Sequence, residues 1–181
     1  DPESIRRLLD SGADGILVPT VETPAEVDKL IEVMKYPPSG KRGYGVARAQ
    51  GYGNEFKAYT SNWNQESILI LQIESVRAVR NIEALLKFEE VDGVMIGPYD
   101  LSGSLGIPGQ IDSELVEKES QKVVESCKRH HKACGFHIVD PSNESIRSAL
   151  DNGYTFFALS SDVFMLQKWG QETKQLLSQF C

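Results

Sequence analysis

Cysteine, basic charge and long apolar runs are all scarce in this chain, and each scarcity removes a class of protein. The cysteines, Cys127, Cys134 and Cys181, are odd in number with no Cys-x-x-Cys pair among them. That argues against a disulfide framework and leaves packing of reduced thiols as their expected role. The formal charge of -7 leaves no general basic surface for a phosphate backbone, so no nucleic-acid partner is expected. The one basic cluster, Lys128, Arg129, His130, His131 and Lys132, falls at the predicted C-terminus of a helix, where cations offset exposed carbonyl dipoles. No apolar run approaches the roughly 20 residues that span a bilayer, and no signal-peptide pattern opens the chain. A soluble, cytoplasmic protein with no membrane partner is therefore expected.

What the chain does contain is enough apolar residue for one buried core: 40% of 181 residues are hydrophobic, and residues 1–181 are expected to form one domain. Helical and strand-like segments alternate without repeats, the pattern of parallel strands joined by helical crossovers. Asp1 caps a first helix with Pro2 inside it, Ile5, Leu8 and Leu9 on one face, and Gly12 as its stop. A strand follows at residues 15–19. Thr23, Pro24 and Glu26 form a capping box ahead of a helix carrying Val27, Leu30, Ile31 and Met34, which Pro37 and Pro38 end. Residues 39–53 are glycine-rich and are expected to form an ordered functional loop or a mobile connection, followed by a short helix near 56–63. Ile68 to Ile73, broken only by Gln72, reads as a strand covered on both sides. Further strands are expected at 93–96, 134–139 and 156–159, with helices after Ser75, over 113–131 and 145–152, and from 163 to 180. The total is five strands, each followed by a helix or long loop, with one helix ahead of the first.

In parallel α/β barrels the chemistry sits at the C-terminal ends of the strands. Two such ends stand out. In Gln72-Ile73-Glu74, alternation puts Gln72 and Glu74 on one side of the strand. The second, Gly97-Pro98-Tyr99-Asp100-Leu101-Ser102, directly follows a strand. Glu74 and Asp100 are 26 residues apart, the length of one strand-helix-strand unit, so they should end adjacent strands with converging carboxylates. Such a pair repels unless a proton or a cation intervenes, and oxygen donors without matching Cys or His favour Mg²⁺ or Mn²⁺. The blander alternative has Glu74 capping the next helix and Asp100 making an Asx turn with Ser102.

Wider wording supplies more. Gly12-Ala13-Asp14-Gly15-Ile16-Leu17-Val18-Pro19, Tyr36-Pro37-Pro38-Ser39-Gly40-Lys41-Arg42-Gly43, Arg48-Ala49, Gln72-Ile73-Glu74 and Val91-Asp92-Gly93-Val94-Met95-Ile96-Gly97-Pro98-Tyr99-Asp100-Leu101-Ser102 together resemble the HpcH/HpaI aldolase family in order and spacing. The resemblance implies a TIM (β/α) barrel of the phosphoenolpyruvate/pyruvate type, here incomplete with about five strands and lacking the N-terminal part. It implies a class II lyase that reversibly cleaves a 4-hydroxy-2-oxo acid to pyruvate and an aldehyde, using Mg²⁺ or Mn²⁺, with Co²⁺ also admissible. By the same resemblance Glu74 and Asp100 are the metal ligands, Gln72 contacts substrate, and the backbone amides of Tyr99 and Asp100 meet the carboxylate of a 2-oxo acid. Asp10 matches an aspartate that raises the basicity of a catalytic histidine. That histidine and a strand-end arginine precede the first residue of this chain and are not assigned. The family's homo-oligomers pack the last helix on a neighbour, for which Phe164, Leu166, Trp169, Leu176, Leu177 and Phe180 offer apolar surface, although core packing explains that surface equally well.

Other residues keep two readings. His137, on the strand side opposite Phe136 and Ile138, is either packed or substrate-facing. Arg42 and Arg48 flank the glycine-rich loop; they could hold a distal substrate carboxylate, the role for which Arg48 is a candidate, or order the loop. Lys29, Lys35, Lys57 and Lys87 fall on predicted helices, away from any Schiff-base position. The alternatives are a metal-dependent lyase acting on an acyl-CoA thioester, and a non-catalytic homologue with an assembly or regulatory role. Five strands cannot close an eight-stranded barrel, so an excerpt of a longer chain, or completion by partners, is expected.

Overall fold

Five parallel strands lie side by side in sequence order and curl into half of a barrel in the computed structural model, which describes residues 1–180. They are β1 (Gly15–Val18), β2 (Ile68–Ile73), β3 (Gly93–Ile96), β4 (Ala133–Ile138) and β5 (Phe156–Leu159). Gly15 pairs with Ile68, Ile70 with Gly93, Gly93 with Ala133 and Gly135 with Phe156, so all five start at one end and finish at the other. Around them lie α1 (Pro2–Asp10), α2 (Pro24–Met34), a 3-10 turn (Arg48–Gly53), α3 (Phe56–Glu66), α4 (Val76–Leu85), α5 (Pro98–Ser104), α6 (Glu114–His130), α7 (Asn143–Asp151) and α8 (Asp162–Leu177). Among the described residues no helix is long and apolar enough to cross a membrane.

Helix starts follow local chemistry. The Asp1 carboxylate accepts from the amides of Glu3 and Ser4, and Glu26 of α2 reaches back to accept from the Thr23 amide at 2.8 Å. Ser75, Ser113 and Ser142 cap α4, α6 and α7 through their hydroxyls. Helix α6 ends at His131 in the left-handed conformation, φ 55°.

The core lies between the convex face of the sheet and the helices. Leu69, Leu71 and Ile73 point into it from β2 and are fully buried, each contributing about 1.5–3 kcal/mol by leaving water. They meet Val27, Ile31 and Met34 of α2, Val79, Ile82 and Leu85 of α4, and Val123, Val124 and Cys127 of α6 in one cluster. Strand β2 is not covered on both sides as its sequence suggests: Ile68 is 46% exposed and Ile70 half-buried, because the concave face is lined by only five strands. The run 98–104, to which the sequence reading assigns no helix, is a short helix opened by Pro98 and held by the buried Leu101.

Candidate active site at the strand ends

Period-two alternation carries Gln72 to the concave side of β2, and Glu74, two residues on, follows it just beyond the strand. The Gln72 side-chain amide donates to Glu74 Oε2 over 2.6 Å, which locks both onto one side as the sequence predicts. The other carboxylate oxygen, Oε1, accepts the backbone N–H of Thr20 over 2.7 Å, from the loop that leaves β1. Glu74 is 8% exposed. Burial pushes its carboxyl above the usual range and the negative charge of Asp100 pushes the same way, while the Thr20 and Gln72 hydrogen bonds pull it down.

Asp100 stands in the first turn of α5, directly beyond β3, which pairs with β2. Gly97 caps that helix and touches the Gln72–Glu74 pair: a β-carbon there would lie 2.9 Å from Gln72 Nε2 and 3.2 Å from Glu74 Oε2. Ser102, fully buried, fastens the turn by donating to the Tyr99 carbonyl at 2.6 Å and accepting the Gly109 N–H at 2.9 Å. Tyr99 and Asp100 are exposed at this end. A buried carboxylate and a second one beside it are an arrangement that a cation relieves. Among the described residues no group of three or more His, Cys, Asp or Glu side chains is placed to hold a metal ion; the carboxylates that directly follow β2 and β3 are Glu74 and Asp100. That donor set fits a hard divalent ion whose remaining positions go to water or ligand.

His137 lies at the same end of the sheet. It is half-buried, with Nε2 3.2 Å from the Ser160 carbonyl oxygen and its ring 6.3 Å from that of Phe164.

Asp10, Arg42 and Arg48 are elsewhere. Helix α1 returns to the start of β1, so Asp10 sits near the opposite end of the sheet from Glu74 and Asp100. There it accepts from Arg42 Nη2 at 3.0 Å and Arg6 Nη1 at 3.2 Å. The Arg42 guanidinium is buried, donates to the Tyr59 hydroxyl at 3.2 Å, and stands 4.5–5.5 Å from the ring centres of Tyr36, Tyr59 and Trp63. Of its two open roles the structure supports the ordering one, since it ties the loop after α2 to α1. Arg48 is exposed and opens the 3-10 turn, which packs on α1 and α3. The structure does not bring it to the Glu74 end.

Sequence reasoning missed Thr20, whose φ of 60° is unusual for a β-branched residue, and Glu22 behind it. Neither carries a local signal, because their partners are more than 50 residues away.

The chain is 37% identical over 169 residues to a hydroxypyruvate/pyruvate aldolase of Roseobacter denitrificans, covering 92% of this chain and 65% of that protein. It is 36% identical over 163 residues to a 5-keto-4-deoxy-D-glucarate aldolase of Citrobacter koseri, covering 90% of this chain and 63% of that protein. The crystal structure of an HpcH/HpaI aldolase/citrate lyase family protein from Burkholderia cenocepacia superposes with a TM-score of 0.90 at 29% identity, over 98% of this chain and 70% of that one. The chain thus spans less than two thirds of the length of these two aldolases. With a family model matching residues 1–168, a half-barrel of the corresponding fold and acidic residues at its strand ends, the chain belongs to the HpcH/HpaI aldolase/citrate lyase family.

Proposed function

We propose that this chain carries the ion- and 2-oxo-acid-binding part of a class II aldolase, which reversibly cleaves a 4-hydroxy-2-oxo acid to pyruvate and an aldehyde. The observation that carries the proposal is the buried Glu74, gripped by Gln72 and Thr20 and flanked by the charge of Asp100. Relatives named as aldolases support it.

Glu74 and Asp100 would hold the divalent ion, Mg²⁺ or Mn²⁺, with Co²⁺ as a substitute. When bound, such an ion supplies Lewis-acid stabilisation of the negative charge that develops as the carbon-carbon bond breaks. Gln72 spends one N–H on Glu74 and keeps a second for substrate. The amides of Tyr99 and Asp100 lie in the first turn of α5, where helical N–H groups lack intrahelical acceptors, and are assigned to the substrate carboxylate. Asp10 and Arg48 stand away from this mouth; the resemblance gives Asp10 a role toward a histidine not assigned in this chain, and Arg48 a role toward a substrate carboxylate. A homo-oligomer fits the exposed apolar side chains of α8, among them Phe164, Leu166 and Trp169.

The test is Mn²⁺ binding, read from the electron paramagnetic resonance signal of the free ion, in the chain and in Glu74→Ala and Asp100→Ala. Both variants should lose binding while keeping the far-ultraviolet circular dichroism of the parent. Wild-type affinity in both would overturn the site. Binding of pyruvate, followed by its relaxation enhancement near bound Mn²⁺, should disappear with the ion.

A further inference from the structure

The loop leaving β1 and the residues leaving β2 hold each other at two points. Thr20 donates its backbone N–H to Glu74 Oε1 at 2.7 Å, and the very next residue, Ser75, donates its hydroxyl back to Glu22 Oε1 at 2.5 Å. Glu22 is fastened on three further sides. Its Oε2 pairs with Arg77 at 3.2 Å, its carbonyl accepts from Asn81 Nδ2 at 2.7 Å, and its N–H donates to Glu26 Oε2 at 2.8 Å. Between the two anchors, Val21 is buried in the core. Thr20 adopts φ 60°, a backbone conformation that a β-branched residue keeps only when its surroundings impose it.

We infer that Glu22 is a positioning residue: by clasping the start of α4 it holds the Thr20 amide against Glu74 and so fixes the orientation of that carboxylate. A carboxylate free to rotate presents its oxygens in many directions. Pinned at Oε1 by Thr20 and at Oε2 by Gln72, it presents the remaining lone pairs in one. Groups that orient a metal-binding carboxylate through a hydrogen bond contribute to affinity without touching the ion. The inference rests on the reading of Glu74 as a ligand, and it assigns to Glu22 a purpose that its partly exposed surface position would otherwise hide.

The experiment compares Glu22→Ala, Glu22→Gln and Glu74→Ala. In the metal-free chain the Thr20 amide, resolved by ¹H–¹⁵N correlation spectroscopy, should lie downfield and exchange slowly, as expected for a carboxylate partner. In Glu22→Ala it should move upfield and exchange faster, and Mn²⁺ affinity should fall by about ten-fold, the lower end for lost outer-shell partners. Glu22→Gln keeps an acceptor for Ser75 and should recover most of the affinity. Wild-type affinity in Glu22→Ala, with binding lost in Glu74→Ala, would overturn this inference alone. Wild-type affinity in both would overturn the ligand reading and this inference with it. Should Glu22→Ala fail to fold, Asn81→Ala cuts the same clasp at the Glu22 carbonyl and is judged by the same two signals.

Discussion

Gly97 lies so close to Glu74 that a β-carbon on it would stand 3.0 Å from the Glu74 Cβ. Any side chain there must displace the Gln72–Glu74 pair or move the start of α5, which carries Asp100. Gly97→Ala is therefore expected to cost about 1–3 kcal/mol by over-packing, and to weaken Mn²⁺ binding through misplacement of both carboxylates. Urea unfolding and an Mn²⁺ titration check the two effects; an alanine variant with parental affinity would show that the pair tolerates the shift.

Arg42 and Asp10 form a pair whose arginine side chain is 1% exposed and whose aspartate is 19% exposed. Lysine cannot reproduce the planar fork that reaches Asp10 and Tyr59 while lying among three aromatic rings. Arg42→Met should lower stability by about 3 kcal/mol, the low end for a broken buried pair, since Asp10 retains Arg6. Arg42→Lys should lie between the two. Limited proteolysis should then cut within residues 43–53, which lose their anchor to α1. A Met variant as stable and protease-resistant as the parent would contradict this account.

Lys35 supplies a pH dependence. Its ammonium is buried at the end of α2, donating to the carbonyls of Asn64 and Ser67 and to the Ser67 hydroxyl. Burial holds its pKa below the ordinary 10.5, with Asp92 and Glu90 opposing in part. Between the lowered folded value and 10.5 the unfolded chain binds more protons, so this residue makes stability rise with pH across that window. Below the window the cost of burying the charge is carried in full. Unfolding free energies of the parent and of Lys35→Met, measured at rising alkaline pH, should shift in the parent's favour across that range. Parallel curves would show that Lys35 titrates alike in both states.

How much of this was legible beforehand depends on the range of the interactions. Five strands, their order along the chain and most helix starts were readable, because caps such as Ser75 and Ser113 and the apolar spacing of α4 act within a few residues. The pairing of Gln72 with Glu74 was readable for the same reason, as an outcome of strand alternation. The placement of Asp100 next to them needed only that one strand-helix-strand unit bring its ends together. Helix α5 was missed because Ser102, Gly103 and Ser104 are weak helix formers, and burial of Leu101 and Ser102 outweighs their propensity. For Arg42 the sequence left two roles open, substrate contact and loop ordering, since nothing adjacent in sequence announces that Tyr36, Tyr59 and Trp63 will surround it.

By itself, then, the amino-acid order determined the alternating α/β pattern, the family wording and the pair of acidic residues that close two consecutive strands. Only the tertiary structure decided which groups surround Glu74: Thr20 and Glu22 reach Glu74 and Ser75 from the loop leaving β1, Gly97 comes up from the end of β3, and Asp10 lies at the far end of the sheet. The physical reason is range. Capping and alternation are settled by neighbours along the chain, whereas the orientation of a buried carboxylate is settled by donors that arrive only when distant segments pack together.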